Sequence, residues 1–321
     1  MTMATLQAIG QGGLVGVSPT PVLQRAINNY LVNDELMNIL RFVNNAQGNN
    51  LGNFQASYVY YNGTSEATFR ALGVDYTPDN EQPLTDTVML KFLGGAFETD
   101  VEIARAFGTN AGAVANWTEQ QIEQKLNAIK NGFAKKFMQG DSSVDSKEFD
   151  GLNKRITEGQ VVSTAIDVSA LDNAKALQAE VAINKVIGKV APKRPNVILT
   201  NADGKAILSA INAYRHRGVE AIEVNGQKYD QYMGIPVVAL TDDCFSAEDK
   251  AIGIPVVFMF VDELDGVRVS IPMDGQVVII LPPKFENGKV VERGACEMAC
   301  APLFANPFAV AKCYLSEKVG E

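Results

Sequence analysis

The chain has 321 residues, 46% of them hydrophobic and 20% charged, a globular composition with enough mass for one large or two moderate cores. Its formal charge of -9 and pI near 4.9 argue against wrapping nucleic acid, which requires clustered Lys and Arg to displace counterions. No uncharged run reaches the roughly 18 to 20 apolar residues of a membrane span, and residues 1–20 lack the basic segment and apolar core of a secretion signal.

Residues 1–21 are glycine-rich and polar and end in Ser18-Pro19-Thr20-Pro21, which predicts a flexible arm. The glycines do not form a dinucleotide loop, because no strand precedes them and the Gly-x-Gly-x-x-Gly spacing fails at Val15. Leu23 to Val43 reads as a helix, or as two short ones broken at Asn33-Asp34, with Leu23, Ile27, Leu31, Met37 and Leu40 at near-helical spacing. Asn44 to Gly52 reads as a loop.

Two strand-like runs follow, Asn53 to Tyr61 and Leu84 to Leu93. Tyr58, Tyr60 and Tyr61 lie on the outgoing run, and Val88, Leu90 and Phe92 alternate along the return, which predicts a ribbon with one apolar side. About twenty residues separate the runs and carry no obvious core, so the connection should project from the body and pack on a partner. Ser65 to Leu72 predicts a helical turn at its tip, where Arg70 and Asp75 offer charges for pairing.

The strongest periodic signal runs from Asn116 to Gly151. Ile122, Leu126, Ile129, Phe133 and Phe137 recur on one stripe of a helix, with Asn116 as N-cap, Glu119 completing a capping box and Gly140 supplying a left-handed end. The acidic turn from Asp141 to Asp150 is faintly similar to a calcium loop, but Ser146 stands where the glycine belongs and no bidentate Glu follows. Helix termination with local capping by Asp and Ser accounts for it better.

Residues 164–271 alternate helix and strand: Leu171 to Val190, Val197 to Thr200, Asp203 to Arg215, Val237 to Leu240, Val256 to Val261 and Val267 to Ile271. This predicts an α+β module with its own core. Gln276 to Leu281 and Lys289 to Cys300 predict a long hairpin through Asn287-Gly288 that lies along the long helix, and Phe308 to Leu315 a last strand or helix end. Cys244, Cys296, Cys300 and Cys313 are too few for a disulfide framework and suit a reducing compartment. Cys296 and Cys300 should share one strand face, and with His216 the only histidine a closed zinc site lacks ligands.

Several segments taken together resemble the major capsid protein of tailed bacteriophages, the shell-forming family with the Hong Kong 97-type fold. They are Phe92-Leu93-Gly94-Gly95-Ala96-Phe97-Glu98-Thr99-Asp100-Val101-Glu102, the helix ending Phe137-Met138-Gln139-Gly140-Asp141, and Glu148-Phe149-Asp150-Gly151-Leu152. Further on, Arg194 to Asn201, Tyr232-Met233-Gly234-Ile235-Pro236-Val237-Val238 and Pro307-Phe308-Ala309-Val310-Ala311 continue the pattern, over roughly residues 20–315.

The resemblance implies an α+β fold in four parts. These are an N-terminal arm and helix over 1–50, an extended hairpin (E-loop) over 51–104, a peripheral domain with the long spine helix over 105–163 and 272–304, and an axial α+β domain over 164–271 and 305–321. It implies a virion protein, assembled in the bacterial host cytoplasm, that forms pentamers and hexamers of an icosahedral shell around double-stranded DNA without reading its sequence. Its partners are further copies of itself, a separate scaffolding protein, a portal and in some cases a decoration protein. No cofactor is implied, and Tyr58, Tyr60, Tyr61, Arg70 and Asp75 are the candidate intersubunit contacts. An encapsulin-like compartment shares this fold and is the alternative. A soluble α/β enzyme is the other, and the chain offers it no nucleophile elbow, phosphate loop or metal-ligand spacing.

Overall fold

The computed structural model describes residues 34–48, 52–60, 69–76, 84–100, 102, 106, 111–168, 171–216, 221–285 and 290–316. The expected N-terminal arm, most of the first helix, Tyr61 and the Asn287-Gly288 turn lie outside them.

The long helix, Ala111–Gln139, runs 29 residues, on the order of 43 Å at about 1.5 Å per residue. Its stripe is buried as the periodicity demands: Ile122, Leu126, Ile129, Phe133 and Phe137 are all under 5% exposed. Phe133 stacks on Phe137 at 5.6 Å and tilts against Phe149 at 6.1 Å. The helix spans Ala111–Gln139, so Asn116 and Glu119 lie within it and not at its start.

The helix end differs from expectation in mechanism. Gly140 is absent from the positive-φ glycines, so no left-handed residue stops the helix. It is glycine because space is lacking: a Cβ there would sit 2.3 Å from the Phe149 carbonyl oxygen and 2.6 Å from that of Lys136. Gly151 is equally confined, and its N–H donates to the Gly140 carbonyl at 2.8 Å. The acidic turn is thus a closed excursion between two touching glycines. Asp141 accepts from the Ser143 amide and hydroxyl, Asp150 from those of Ser142, and Lys154 pairs with both acids. These are the local caps the sequence suggests, and they hold Phe149 under Phe133.

The helix lies on β4 (Lys91–Asp100) and β13 (Val291–Phe304). With β1 (Phe42–Gly48), β2 (Phe54–Tyr60), β3 (Leu84–Met89), β11 (Val267–Pro272) and β12 (Val278–Phe285) they form a seven-stranded sheet of order β12-β13-β11-β1-β2-β3, β4 pairing with β13. Phe42–Gly48 corrects the sequence reading, which has a helix to Val43 and a loop after it. Its Asn- and Gly-rich composition is weak for a strand, but parallel pairing with β11 and antiparallel pairing with β2 satisfy its backbone. Val267–Pro272, grouped by sequence with the α+β module, also belongs to this sheet, through β13.

The second sheet has the order β5-β14-β10-β6-β9-β8-β7. Its strands are β5 (Val161–Asp167), β6 (Val197–Thr200), β7 (Ile222–Val224), β8 (Gln227–Tyr232), β9 (Ile235–Ala239), β10 (Ile254–Met259) and β14 (Val310–Ser316). Helices Asn173–Ile187 and Ala202–Tyr214 pack on it, capped by Asp172 and Asn201. β6 and β10 are buried on both faces, which explains their unbroken apolar runs. The β7–β8 hairpin, unread in sequence, turns through Asn225 (φ 52°) and Gly226 (φ 82°), the left-handed pair such a turn requires. One continuous core joins the two sheets, so the α+β module does not have a core to itself.

Phe133→Ala is expected to cost about 3–5 kcal/mol, while Lys135→Ala on the exposed face stays within about 0.5 kcal/mol; denaturant midpoints read the difference. The acidic turn supplies a pH dependence. Burial raises the Asp150 carboxyl, but the two Ser142 bonds and Lys154 outweigh it and hold its pKa below the ordinary value. A carboxyl depressed by folding contributes stability that is present above its unfolded pKa of about 3.9 and is lost as pH falls through the folded value. Asp150→Asn should therefore flatten the decline in unfolding midpoint below about pH 4.

Candidate assembly interface

Phe54–Tyr60 and Leu84–Met89 pair antiparallel from Gln55–Met89 to Tyr60–Leu84, giving the two-stranded ribbon expected from the alternation. Its root is tied down. Tyr58 is 6% exposed, packs with Ala56, Leu90 and Leu303, and donates to Asp86 Oδ2 at 2.9 Å. Lys91 Nζ donates to the Ser146 carbonyl at 2.6 Å, which fastens the ribbon to the acidic turn.

The expected single apolar side does not continue past Leu90. There the chain changes partner, from β2 to β13, and the Leu90 amide donates instead to the Phe54 carbonyl at 2.9 Å. The side-chain alternation is reset, so Leu93 and Phe97 turn inward while Phe92 is 51% exposed. On that outer face Phe92 has Ile279 and Leu281 of β12 as exposed apolar companions.

The five candidate contacts divide. Tyr58 is used inside its own subunit, which removes its ring from the area available to a neighbour. Tyr60 pairs with Leu84 through its backbone, its side chain lying outside the described residues as Tyr61 does. Arg70 and Asp75 are exposed on the connection, but Arg70 stacks over Tyr76 at 5.3 Å and donates to the Val74 carbonyl at 3.2 Å, so its charge is engaged locally. Phe69 to Ala71 are not helical; a turn at Leu72-Gly73, with Gly73 at φ 84°, replaces the described part of the expected helical turn.

The sequence reading missed the apolar tip itself. Phe69 and Leu72 are fully exposed, and Val74 and Tyr76 more than half so. The available signal was four large apolar residues in eight, without the alternation or helical period that would bury them. Among the described residues no three His, Cys, Asp or Glu side chains converge as a metal site would require. The cysteines are packing groups: all four are buried, Cys296 and Cys300 on one face of β13, and burial pushes the Cys296 thiol up to about 11.

No protein-family model matches the chain and no curated protein matches it by sequence. Solved structures match over nearly its whole length. The holo-SrpI encapsulin complex from Synechococcus elongatus PCC 7942 has TM-score 0.61 at 13% identity, covering 100% of this chain and 99% of that one. The capsid of an empty GTA particle has TM-score 0.58 at 12% identity over 95% and 94%, and Microbacterium phage Oxtober96 0.54 at 11% over 95% of each. Two sheets sharing one core, a spine helix laid across β4 and β13, and a ribbon rooted beside that helix make this chain a member of the Hong Kong 97-type capsid fold.

Proposed function

We propose that this chain is the repeating subunit of a closed protein shell, and in its finer form the major capsid protein of a tailed phage. On this reading it is structural and non-catalytic. It assembles in the host into pentamers and hexamers of an icosahedral virion shell around double-stranded DNA, with help from scaffolding, portal and decoration proteins. The observation that carries the reading is the ribbon: a root locked by Tyr58, Leu90 and Lys91, and a connection whose Phe69, Leu72, Val74 and Tyr76 stand in solvent. Such exposure is costly for an isolated molecule and useful in one that covers it with a second copy.

Full-length correspondence with an encapsulin, 100% of this chain and 99% of that one, favours a second reading, a compartment that encloses protein cargo. Negative-stain microscopy of the purified chain tests what both share, with closed particles or rings of five or six expected. A monodisperse monomer at every concentration would overturn both. Extraction of particles from the native host separates them, packaged DNA supporting the phage reading and a co-purifying enzyme the compartment.

Phe69→Ser with Leu72→Ser should leave the unfolding midpoint unchanged, since neither side chain is buried in the subunit, and lower particle yield at least several-fold. Sedimentation of the assembly reaction reads the yield.

A further inference from the structure

Between β10 and β11 the chain makes a short loop, Asp262-Glu263-Leu264-Asp265-Gly266, that lifts a leucine into solvent. Leu264 is 76% exposed, with Asp265 exposed and Glu263 half-buried beside it. A single exposed leucine is ordinary. This one is braced from below. Arg268, only 8% exposed, donates through Nη1 to the Glu263 carbonyl and to the Leu264 carbonyl at 2.8 Å, and Asp262 Oδ2 accepts from the Leu264 and Asp265 amides at 3.1 and 3.3 Å. Gly266 closes the loop where a Cβ would sit 2.4 Å from the Asp262 nitrogen. Burying a guanidinium carries a desolvation cost, and here the buried group holds two carbonyls of a surface loop in one shape. A loop fixed in advance loses little freedom when something closes over it.

The complementary surface adjoins it. A pocket of about 310 Å³ opens where Ile39 to Arg41 meets the starts of β6 and β9 and the β7–β8 hairpin, and Val261, the residue before the loop, is part of its lining. That is the small end of the roughly 300–1,000 Å³ of ligand pockets, room for side chains rather than for a folded element. Its walls are aliphatic, Ile39, Ile222, Val224 and Ile235 among them, and its charges are Arg41 and Arg194. No carboxylate lines it, whereas two other pockets of similar size are lined by Asp34 and Glu35 and by Asp86, Glu148 and Asp150. Arg194 gives one N–H to the Met233 carbonyl at 2.9 Å, and Arg41 makes no ion pair or side-chain hydrogen bond among the described residues. The lining holds no aromatic ring on which a base could stack, and a bare inorganic anion would leave the aliphatic walls unused. What fits is an aliphatic side chain flanked by carboxylates.

We infer that the Leu264 loop of one copy seats in the Arg41–Arg194 pocket of a second copy, with Leu264 against the aliphatic walls and Glu263 and Asp265 against the two guanidiniums. The contact rests on the shell reading, since it needs a second copy, and deepens it by naming where two subunits meet. Because loop and pocket adjoin on one surface, two copies related by a two-fold axis seat both loops at once, a self-complementary contact. The charge pairs set its register more than its strength.

Leu264→Cys and Ile222→Cys chains, prepared separately and mixed under assembly conditions, test this with a short bis-maleimide, the four native cysteines being buried. The expected product is a dimer in which tandem mass spectrometry places the bridge between residues 264 and 222. Particles without that bridge overturn the contact and leave the shell reading standing. A bridge without particles does the reverse, and the absence of both overturns both. A bridge formed only between two 264 positions also overturns the seat. Glu263→Lys with Asp265→Lys in the Leu264→Cys chain should lower the bridged yield at least several-fold, and Arg41→Glu with Arg194→Glu in the Ile222→Cys chain should restore it. An unchanged yield in the first mixture, or no recovery in the second, overturns the charge pairing.

Discussion

The contact between the spine helix and one face of the β12–β13–β4 sheet sets the geometry of everything else. On that face the strands present Leu93, Phe97, Cys296 and Met298, and against them the helix lays Ile122 to Phe137. One missing side chain is required within that sheet. A Cβ on Gly294 would strike the Phe97 ring of the neighbouring strand at 2.4 Å, whereas one on Gly132 or Gly95 would only touch Leu93 or Lys125 at 3.5 Å. The close packing of these buried side chains holds the helix on the sheet. Because β4 runs on into the ribbon through Leu90, the direction in which the ribbon leaves the body follows from this packing rather than from the ribbon's own residues.

The second sheet is joined to the first by polar devices as well as by the shared core. Gln160 donates to the Pro307 and Val310 carbonyls at 2.5 and 2.6 Å, tying the segment after the spine turn to β14. Asp34, which caps the short helix Glu35–Ile39, pairs with Lys130 on the spine at 2.9 Å, and Asn38 of that helix reaches Tyr229 on β8 at 3.1 Å. Buried polar links of this kind add little net stability, since desolvation consumes most of their attraction. What they restrict is the relative position of the sheets, because each has only one arrangement in which its donors and acceptors are satisfied.

Much of this was legible. The helix stripe, the ribbon strands and Val267 to Ile271 show their structure through period, Val197 to Thr200 through an unbroken apolar run, and the order of segments carried the resemblance. What escaped has three physical causes. Phe42–Gly48 is a strand by tertiary pairing, against its local composition. Gly140 and Gly151 are glycines for space, and sequence cannot distinguish a crowded glycine from a left-handed one. The candidate contacts fared unevenly because burial within the subunit and burial between subunits favour the same residues: Tyr58 looked like interface and is core, while Phe69 and Leu72 looked like loop and carry the exposed surface. The buried contact of Lys312 with Asp249 and Asn153, at 2.5 and 2.9 Å, had no local signal, since three distant segments supply one residue each.

On the shell reading, the exposed tip also explains how a soluble subunit and a closed assembly can share one sequence. Full burial of a Phe or Leu side chain contributes about 1.5–3 kcal/mol, whereas association costs about 4–15 kcal/mol in lost rigid-body freedom. Phe69 and Leu72 together would contribute about 3–6 kcal/mol, and all four tip side chains at most about 6–12, so one tip on one neighbour does no more than match that cost over much of its range, and the formal charge of -9 adds repulsion that salt screens beyond about 8 Å. The balance changes once a subunit is held by several neighbours, because the freedom is lost once while each added contact counts in full. Head-to-tail contacts repeated around an axis reach that point when the ring closes. A weak, exposed and firmly rooted tip thus suits a subunit that must stay apart in solution and remain in place once surrounded.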